Sequence, residues 1–277
     1  MHRWGSLIVR SASSLRTPSR VRSTVLRTYS TNDNAAIKVS EKTMRRFWKT
    51  ATVHEMEGKL TVALDGRPIK TPDGQKILLT SGQRPLAGLL AAEWDSQARV
   101  LKTHSLPLTS LVARAIDGFS KENGEEKKEA IERLMKYLDT DAVCFHEEFP
   151  ESLVKLQTQY WDPIIAWARK EFNVTIRKQE GILATGQPEE THQAMRSIVE
   201  SLSPLELAAF ERATMVTKSF LTALALVKRA ISLEHAAQAA HVEVNWQIER
   251  WGEVEDTHDV DREEVRRQLG SCVCALL

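Results

Sequence analysis

The chain has 277 residues, 42% of them hydrophobic and 27% charged, with a formal net charge of +1. That length holds one or two domains with a sizeable core, and the balanced charge argues against nucleic acid as the main partner. No apolar run approaches the roughly 20 residues that span a bilayer, which argues against membrane insertion; three cysteines, Cys144, Cys272 and Cys274, make no disulfide framework and point to a reducing compartment.

The first thirty residues differ in kind from the rest. They hold six Arg, no Lys and no acidic residue, and are rich in Ser and Thr. Apolar residues are scattered among the arginines, without the continuous apolar run of a secretory signal. This is the composition of a mitochondrial transit peptide, so residues 1–29 are expected to be a cleaved leader that delivers the chain to the mitochondrial matrix. Arg27-Thr28-Tyr29 before Ser30 resembles a matrix-protease cleavage context. A basic nucleic-acid-binding arm is the competing reading of the same arginines.

Thr31 to Glu41 reads as a polar lead-in. Trp48–His54 and Lys59–Leu64 then read as strands joined by a Glu57-Gly58 hairpin turn. Further turns follow at Leu64-Asp65-Gly66-Arg67-Pro68 and Thr71-Pro72-Asp73-Gly74, with one more short strand at Lys76–Thr80. The result is a small antiparallel meander.

Helix is expected from about Arg84 to Arg99, with Leu86, Leu89, Leu90 and Trp94 facing the meander and Glu93, Asp95 and Arg99 off that stripe. Pro107–Asp117 reads as a second helix, with Arg114 and Asp117 one turn apart and able to pair. After a solvated charged stretch at Lys121–Lys128, helix resumes at Glu129–Leu138, with Ile131, Leu134, Met135 and Leu138 inward. Ala142–Phe145 is a short apolar run that could rejoin the sheet. Glu151–Phe172 reads as one long helix, kinked or restarted at Pro163 with Asp162 as the cap. Short extended pieces at Val174–Ile176 and Gly181–Ala184 precede a helix at Glu189–Ser201.

The strongest patterning lies between Ser203 and Gly252. Ser203-Pro204-Leu205-Glu206 is a capping box with Pro at the first helical position. The run to Arg229 is expected to be two helices broken near Thr214–Ser219. Ser232 opens a third helix that ends at Gly252, a left-handed cap.

Projected at about 100° per residue, Leu233, Ala237, Ala240, Val244, Ile248 and Trp251 make one stripe, the expected core face. Ala239, Val242 and Trp246 make a second patch, with Glu243, Gln247 and Arg250 as a polar row between the two. Either both patches are core and Glu243 is a solvated edge residue, or one patch serves a partner. Beyond Gly252 a short helix around Arg262–Leu269 and a frayed tail at Cys272-Val273-Cys274 are expected.

No catalytic or cofactor constellation has specific spacing. GxxxxGK[ST] and GxGxxG are absent, so no nucleotide cofactor is expected. HExxH, GxSxG and a CxxC pair are absent as well, so no metal is expected. Cys144 and His146 would share a face if they lay in a strand and are a conceivable nucleophile and base; a buried structural cysteine is the plainer reading. Glu93 and Asp95 are a conceivable acid pair. Asp256, His258, Asp259 and Asp261 lack the glycine of a calcium loop and read as a solvated segment. Of seven Trp, Trp94, Trp161, Trp167, Trp246 and Trp251 fall on expected helices, where they serve as core or as binding anchors.

Taken together, RRFWKTATV, LDGRPIKTP, LAAEWDSQ, LPLTSLVARAID, YLDTDAVCF, QYWDPIIAWA and EVNWQIERWG resemble the mitochondrial assembly factors that chaperone the alpha subunit of the ATP synthase catalytic head, the ATP12 chaperone family. The likeness runs in order over residues 44 to 255.

The resemblance implies an α+β protein in two parts: an N-terminal α/β two-layer domain at 30–145, built on the meander, and a C-terminal all-α orthogonal bundle at 146–277 with a polar tail. It implies a matrix chaperone rather than an enzyme, whose partner is the unassembled alpha subunit. In the family an acidic residue on the last long helix matters; the matching position is Glu243, followed by Gln247 and Trp251-Gly252. Glu243 is then expected to meet a basic group on the client while Val242 or Trp246 supplies apolar area. The Trp94 segment is a family hallmark with a structural reading. The alternative is a matrix enzyme using Cys144 and His146 or a carboxylate pair. A peripheral membrane protein is disfavoured by the lack of a basic amphipathic helix.

Overall fold

The computed structural model describes residues 45–121, 124–180 and 185–277. The expected leader at 1–29, the lead-in at 31–41 and the extended piece at 181–184 fall outside them. Strand β1 (Ala51–Met56) turns at Glu57 and Gly58, with φ of 55° and 72°, into antiparallel β2 (Lys59–Leu64). Positive φ at both central residues matches the twist of the flanking strands, which is why such turns favour Gly in hairpins. Asp65 and Gly66 repeat the device, with φ of 46° and 80°, and lead to β3 (Arg67–Pro68).

The strand order is β1-β2-β3. The stretch expected as a further strand touches the sheet only through single bridges, Leu60 with Leu79 and Lys70 with Lys76. It fills the part of β2's edge that two-residue β3 leaves open. Strand β2 is buried from Leu60 to Leu64, so its apolar run is continuous rather than alternating.

Helix α1 (Arg84–Asp95) lays Leu86, Ala87, Leu90 and Ala91 onto β1 and β2. It stops short of the expected Arg99. Gln97, 8% exposed, turns its amide to the carbonyls of Glu93 and Ser105 and so fixes the helix end.

Helix α2 (Pro107–Arg114) continues as a π-helical turn at Ala115–Phe119. Its first turn is capped from outside: Glu93 accepts from the backbone N–H of Leu108 at 2.7 Å and of Thr109 at 2.9 Å. A carboxylate here satisfies orphan donors and meets the positive end of the helix dipole. The Trp94 indole donates to the Thr109 hydroxyl at 2.9 Å, a structural role.

The expected Arg114–Asp117 pair does not form. Arg114 reaches Glu211 at 2.8 Å, while Asp117 accepts from the Thr71 hydroxyl at 2.7 Å. Both find better-placed partners across the fold than along one π-distorted turn.

Helix α3 (Glu125–Asp139) starts earlier than expected, with Glu125 and Glu126 in its first turn. A 3₁₀ turn at Ala142–Cys144 leads into β4 (Phe145–His146). This segment does not rejoin the meander; β4 pairs in parallel with β5 (Gln179–Glu180) in a separate two-stranded sheet. The buried Asp141 carboxylate holds the chain there, accepting from Val143 N–H at 3.0 Å and Leu221 N–H at 2.8 Å.

The expected long helix is two, α4 (Glu151–Tyr160) and α5 (Asp162–Phe172). The break is at Trp161, whose buried indole donates to the Ala239 carbonyl at 2.8 Å. Helix α6 (Glu189–Glu200) matches expectation.

Helix α7 (Pro204–Thr217) opens on the capping box, with both Ser203–Glu206 bonds present. Lys218, at φ 56°, separates it from α8 (Phe220–Val227), every residue of which is buried. The expected third helix is α9 (Leu233–Ala240), capped by Ser232, and α10 (Val242–Trp251).

The segment expected to fray is instead the 18-residue helix α11 (His258–Ala275). It packs on α7, α9 and α2 and buries Val265, Leu269, Cys272 and Ala275. These residues lie three or four apart, so they form one stripe; the C-terminal tail is core, not polar fringe. One cluster of buried side chains runs from Trp48 to Ala275. The architecture is α+β: a small antiparallel sheet with helix laid on it, followed by packed helices.

Candidate protein-binding face

Helix α10 is held from several sides. His241 separates it from α9 with φ −110° and ψ 16°, well off helical values. Its ring, 7% exposed, places Nδ1 3.1 Å from the Ala237 carbonyl and Nε2 2.9 Å from Asp261 on α11. The Asn245 amide donates to Gln238 at 2.9 Å, across the break. The Trp246 indole donates to the Ser152 hydroxyl of α4 at 3.1 Å.

The break alters which side faces inward. The expected core stripe assumed one straight helix through Trp251. The turn at His241 changes the phase, and the stripe splits: Ala237 is 1% exposed, Val244 and Ile248 are half-buried, and Trp251 is 68% exposed. The patch read as secondary supplies the anchors, Ala239 at 3% and Val242 at 1%. Val242 is thus a packing residue beneath the helix and presents no area to a partner.

Glu243, Gln247 and Arg250 do form an exposed row. Glu243 and Gln247 make no side-chain hydrogen bond or ion pair among the described residues. Trp246 is half-buried and meets Trp251 edge-to-face, with centroids 5.4 Å apart. The Arg250 guanidinium lies over both rings, 5.8 and 5.5 Å from their centroids. Pro150, Ser152, Trp246, Glu249 and Arg250 line a shallow pocket of about 260 Å³. The structure therefore brings Glu243, Trp246 and Gln247 to one accessible helix and withdraws Val242. Sequence reasoning missed Phe149, which stands 79% exposed immediately before Pro150.

The residues considered for catalysis are engaged otherwise. Cys144 is fully buried and ends the 3₁₀ turn rather than lying in a strand with His146. Burial, reinforced by the Asp141 charge, drives its thiol pKa far up, opposite to what a nucleophile requires. The His146 Nε2 lies 3.1 Å from the Val143 carbonyl, and burial, with the Lys178 charge, lowers its pKa. Glu93 serves as a helix cap; burial raises its pKa against the pull of its Thr109 and Leu108 bonds. Asp95 pairs with Arg46 at 3.3 Å.

Cys272 is buried, its thiol pushed up to about 12 by desolvation. Among the described residues no three His, Cys, Asp or Glu side chains are grouped to hold a metal, and no helix is long and apolar enough to cross a membrane.

Comparison with known proteins gives a consistent result. Residues 45–169 match the family model described as ATP12 chaperone protein. The chain is 34% identical over 250 residues to Protein atp12, mitochondrial, of Schizosaccharomyces pombe, covering 88% of this chain and 85% of that one. It is 33% identical over 273 residues to the Saccharomyces cerevisiae Protein ATP12, mitochondrial, covering 84% of each. The crystal structure of Atp12 from Paracoccus denitrificans superposes with a TM-score of 0.72 at 28% identity, over 85% of this chain and 98% of that one. A crystal structure from Agrobacterium tumefaciens gives 0.73 at 33% identity, over 84% and 85%.

Proposed function

The chain belongs to the ATP12 chaperone family, an assembly-chaperone family, and on that premise we propose that it binds the unassembled alpha subunit of the mitochondrial ATP synthase catalytic head through the outward face of α10. Glu243 meets a basic group on the alpha subunit, Gln247 adds a polar contact, Trp246 supplies apolar area, and Val242 anchors the helix beneath them. The observation that carries this reading is the exposed Glu243, in no ion pair among the described residues, on a helix pinned to three neighbours and carrying half-buried Trp246 and exposed Trp251.

A subunit awaiting its partner exposes apolar surface that aggregates. A face with an aromatic centre and a few charged contacts covers such surface and can still yield it to a tighter partner. No catalytic step is part of this role, and the buried, high-pKa Cys144 thiol agrees with it. The Arg-rich, acid-free segment 1–29 supports delivery to the mitochondrial matrix. Residues 30–145 and 146–277 are taken as two functional portions, the second carrying the binding face.

The test is co-purification of the alpha subunit with wild type and with Glu243→Lys. Wild type retains the subunit in one-to-one ratio, and the variant loses it. Because Glu243 is exposed and in no ion pair among the described residues, stability changes by no more than about 0.5 kcal/mol, so the helical CD signal and the melting temperature stay near wild type. An unfolded variant, or a wild type that retains no alpha subunit, overturns the proposal.

A further inference from the structure

The groove beside α10 has a second wall, where the loop after β4 runs into α4. Phe149 is 79% exposed and Trp251 68%. Pro150 and Ser152 close the small pocket against Trp246. Withdrawing a Phe or Trp side chain from water contributes about 1.5–3 kcal/mol, so Trp251 outward beside Trp246 and Phe149 outward next to Pro150 in the chain mark a surface made to be covered.

The charges around the groove are not balanced. Glu147 and Glu148 precede Phe149, and Glu243 and Glu249 lie on α10; all four are exposed, and none is in an ion pair among the described residues. The next carboxylate, Glu151, is already matched by Lys155 at 2.8 Å. Arg250 is the cation that lines the pocket, and its guanidinium lies over the two Trp rings. The formal net charge of +1 includes the six arginines of residues 1–29; residues 30–277 alone carry −5, the same sign as this face.

We infer that the groove takes a cationic, amphipathic segment of the alpha subunit, with an apolar side chain seated between Pro150 and Trp246 and Lys or Arg neighbours facing Glu147, Glu148 and Glu243. This rests on α10 being the client face, and adds to it the loop 147–149 and the sign of the partner's charge. A second copy of the chain fits poorly, because a two-fold pairing would set these carboxylates against one another. Apolar seating supplies affinity, while the carboxylates supply selectivity and a salt-sensitive association rate.

The experiment measures binding of purified alpha subunit to the mature chain at low and moderate salt. It compares wild type, Phe149→Ala, the double variant Glu147→Lys/Glu148→Lys, and a control, Glu55→Lys/Glu200→Lys, on β1 and α6. Phe149→Ala weakens binding about tenfold, as loss of an aromatic anchor does. The double loop variant weakens it by a similar factor and flattens its salt dependence; the control binds as wild type.

Overlapping peptides of the alpha subunit identify the segment, and those retained carry Lys or Arg beside apolar residues. Loop variants that bind like wild type overturn the inference, as do retained peptides that are neutral or acidic. So does a dimer of this chain that Phe149→Ala dissolves. If Glu243→Lys alone loses the client, this inference falls and the assignment of α10 stands; if wild type binds no alpha subunit, both fall.

Discussion

Asp141 offers a quantitative check on how the loop and the helices are tied together. Its side chain is fully buried, and one carboxylate joins the N–H of Val143, just ahead of β4, to the N–H of Leu221 at the start of α8. Two influences oppose each other. Burial penalises the charge, while the bonds from Ser219, Leu221, Val143 and Phe220 favour it. Burial wins, and the pKa rises from 3.8 to about 6.

A gap of that size corresponds to about 3 kcal/mol, a sizeable share of a typical domain's stability. The folded state holds the proton more tightly than the unfolded state. Asp141 therefore contributes most below about pH 4, and its contribution falls as pH rises through about 6. Asp141→Asn removes the titration, keeps one acceptor and turns an amide group toward the other N–H. The variant starts less stable at pH 4 and recovers ground against wild type by about 2 kcal/mol by pH 7. Urea unfolding of both proteins from pH 4 to 7.5 measures that difference. A constant difference, or one that grows against the variant as pH rises, refutes the claim that burial outweighs the four hydrogen bonds.

Val242→Ala removes buried methyl groups and costs about 1–3 kcal/mol; it lowers the melting temperature by several degrees, whereas Glu243→Lys does not, and thermal denaturation of the two variants separates anchor from surface. Native alkylation with iodoacetamide, read by mass spectrometry, labels half-buried Cys274 first and leaves Cys144 and Cys272 protected until unfolding, because both thiols are buried with raised pKa. Early labelling of Cys144 would contradict its packing. Trp161→Phe keeps the ring but strands the Ala239 carbonyl, costing about 1–3 kcal/mol by chemical denaturation; no loss would show that water replaces the indole.

Features fixed by local chemistry were legible in the sequence. The Glu57-Gly58 hairpin, the Asp65-Gly66 turn and the Ser203–Glu206 box need only residues a few positions apart, and each forms as read. Features fixed by distant partners were not. Nothing between Ser232 and Gly252 is a helix breaker, yet His241 leaves the helix because its ring bonds Asp261, twenty positions on, and is braced by Trp161 on Ala239. That single break reassigned Val242 from surface to anchor and Trp251 from core to surface. The last helix reads as short, around Arg262–Leu269, for a related reason. Its first half is charged, and only a sparse stripe from Val265 to Ala275 records that α7 and α9 cover it. Phe149 gave no signal, since one Phe between Glu-Glu and Pro carries no periodicity.

The way α10 is held bears on how an assembly chaperone could let go. A flexible binding segment would have to be ordered on contact, at about 0.5–1.5 kcal/mol for each side chain immobilised. Here the ordering is already done by Val242 in the core, His241 on Asp261 and Trp246 on Ser152. Little is then lost on binding, so a small exposed face suffices for capture. The contacts left to make are few and wet: an exposed carboxylate, an amide, and aromatic edges around a pocket of about 260 Å³. Exposed charge pairs speed encounter and select the partner but hold weakly. On the proposed reading the complex forms readily and stays moderate in strength. A subunit partner that buries a larger, drier surface can then displace the chaperone with no nucleotide-driven step.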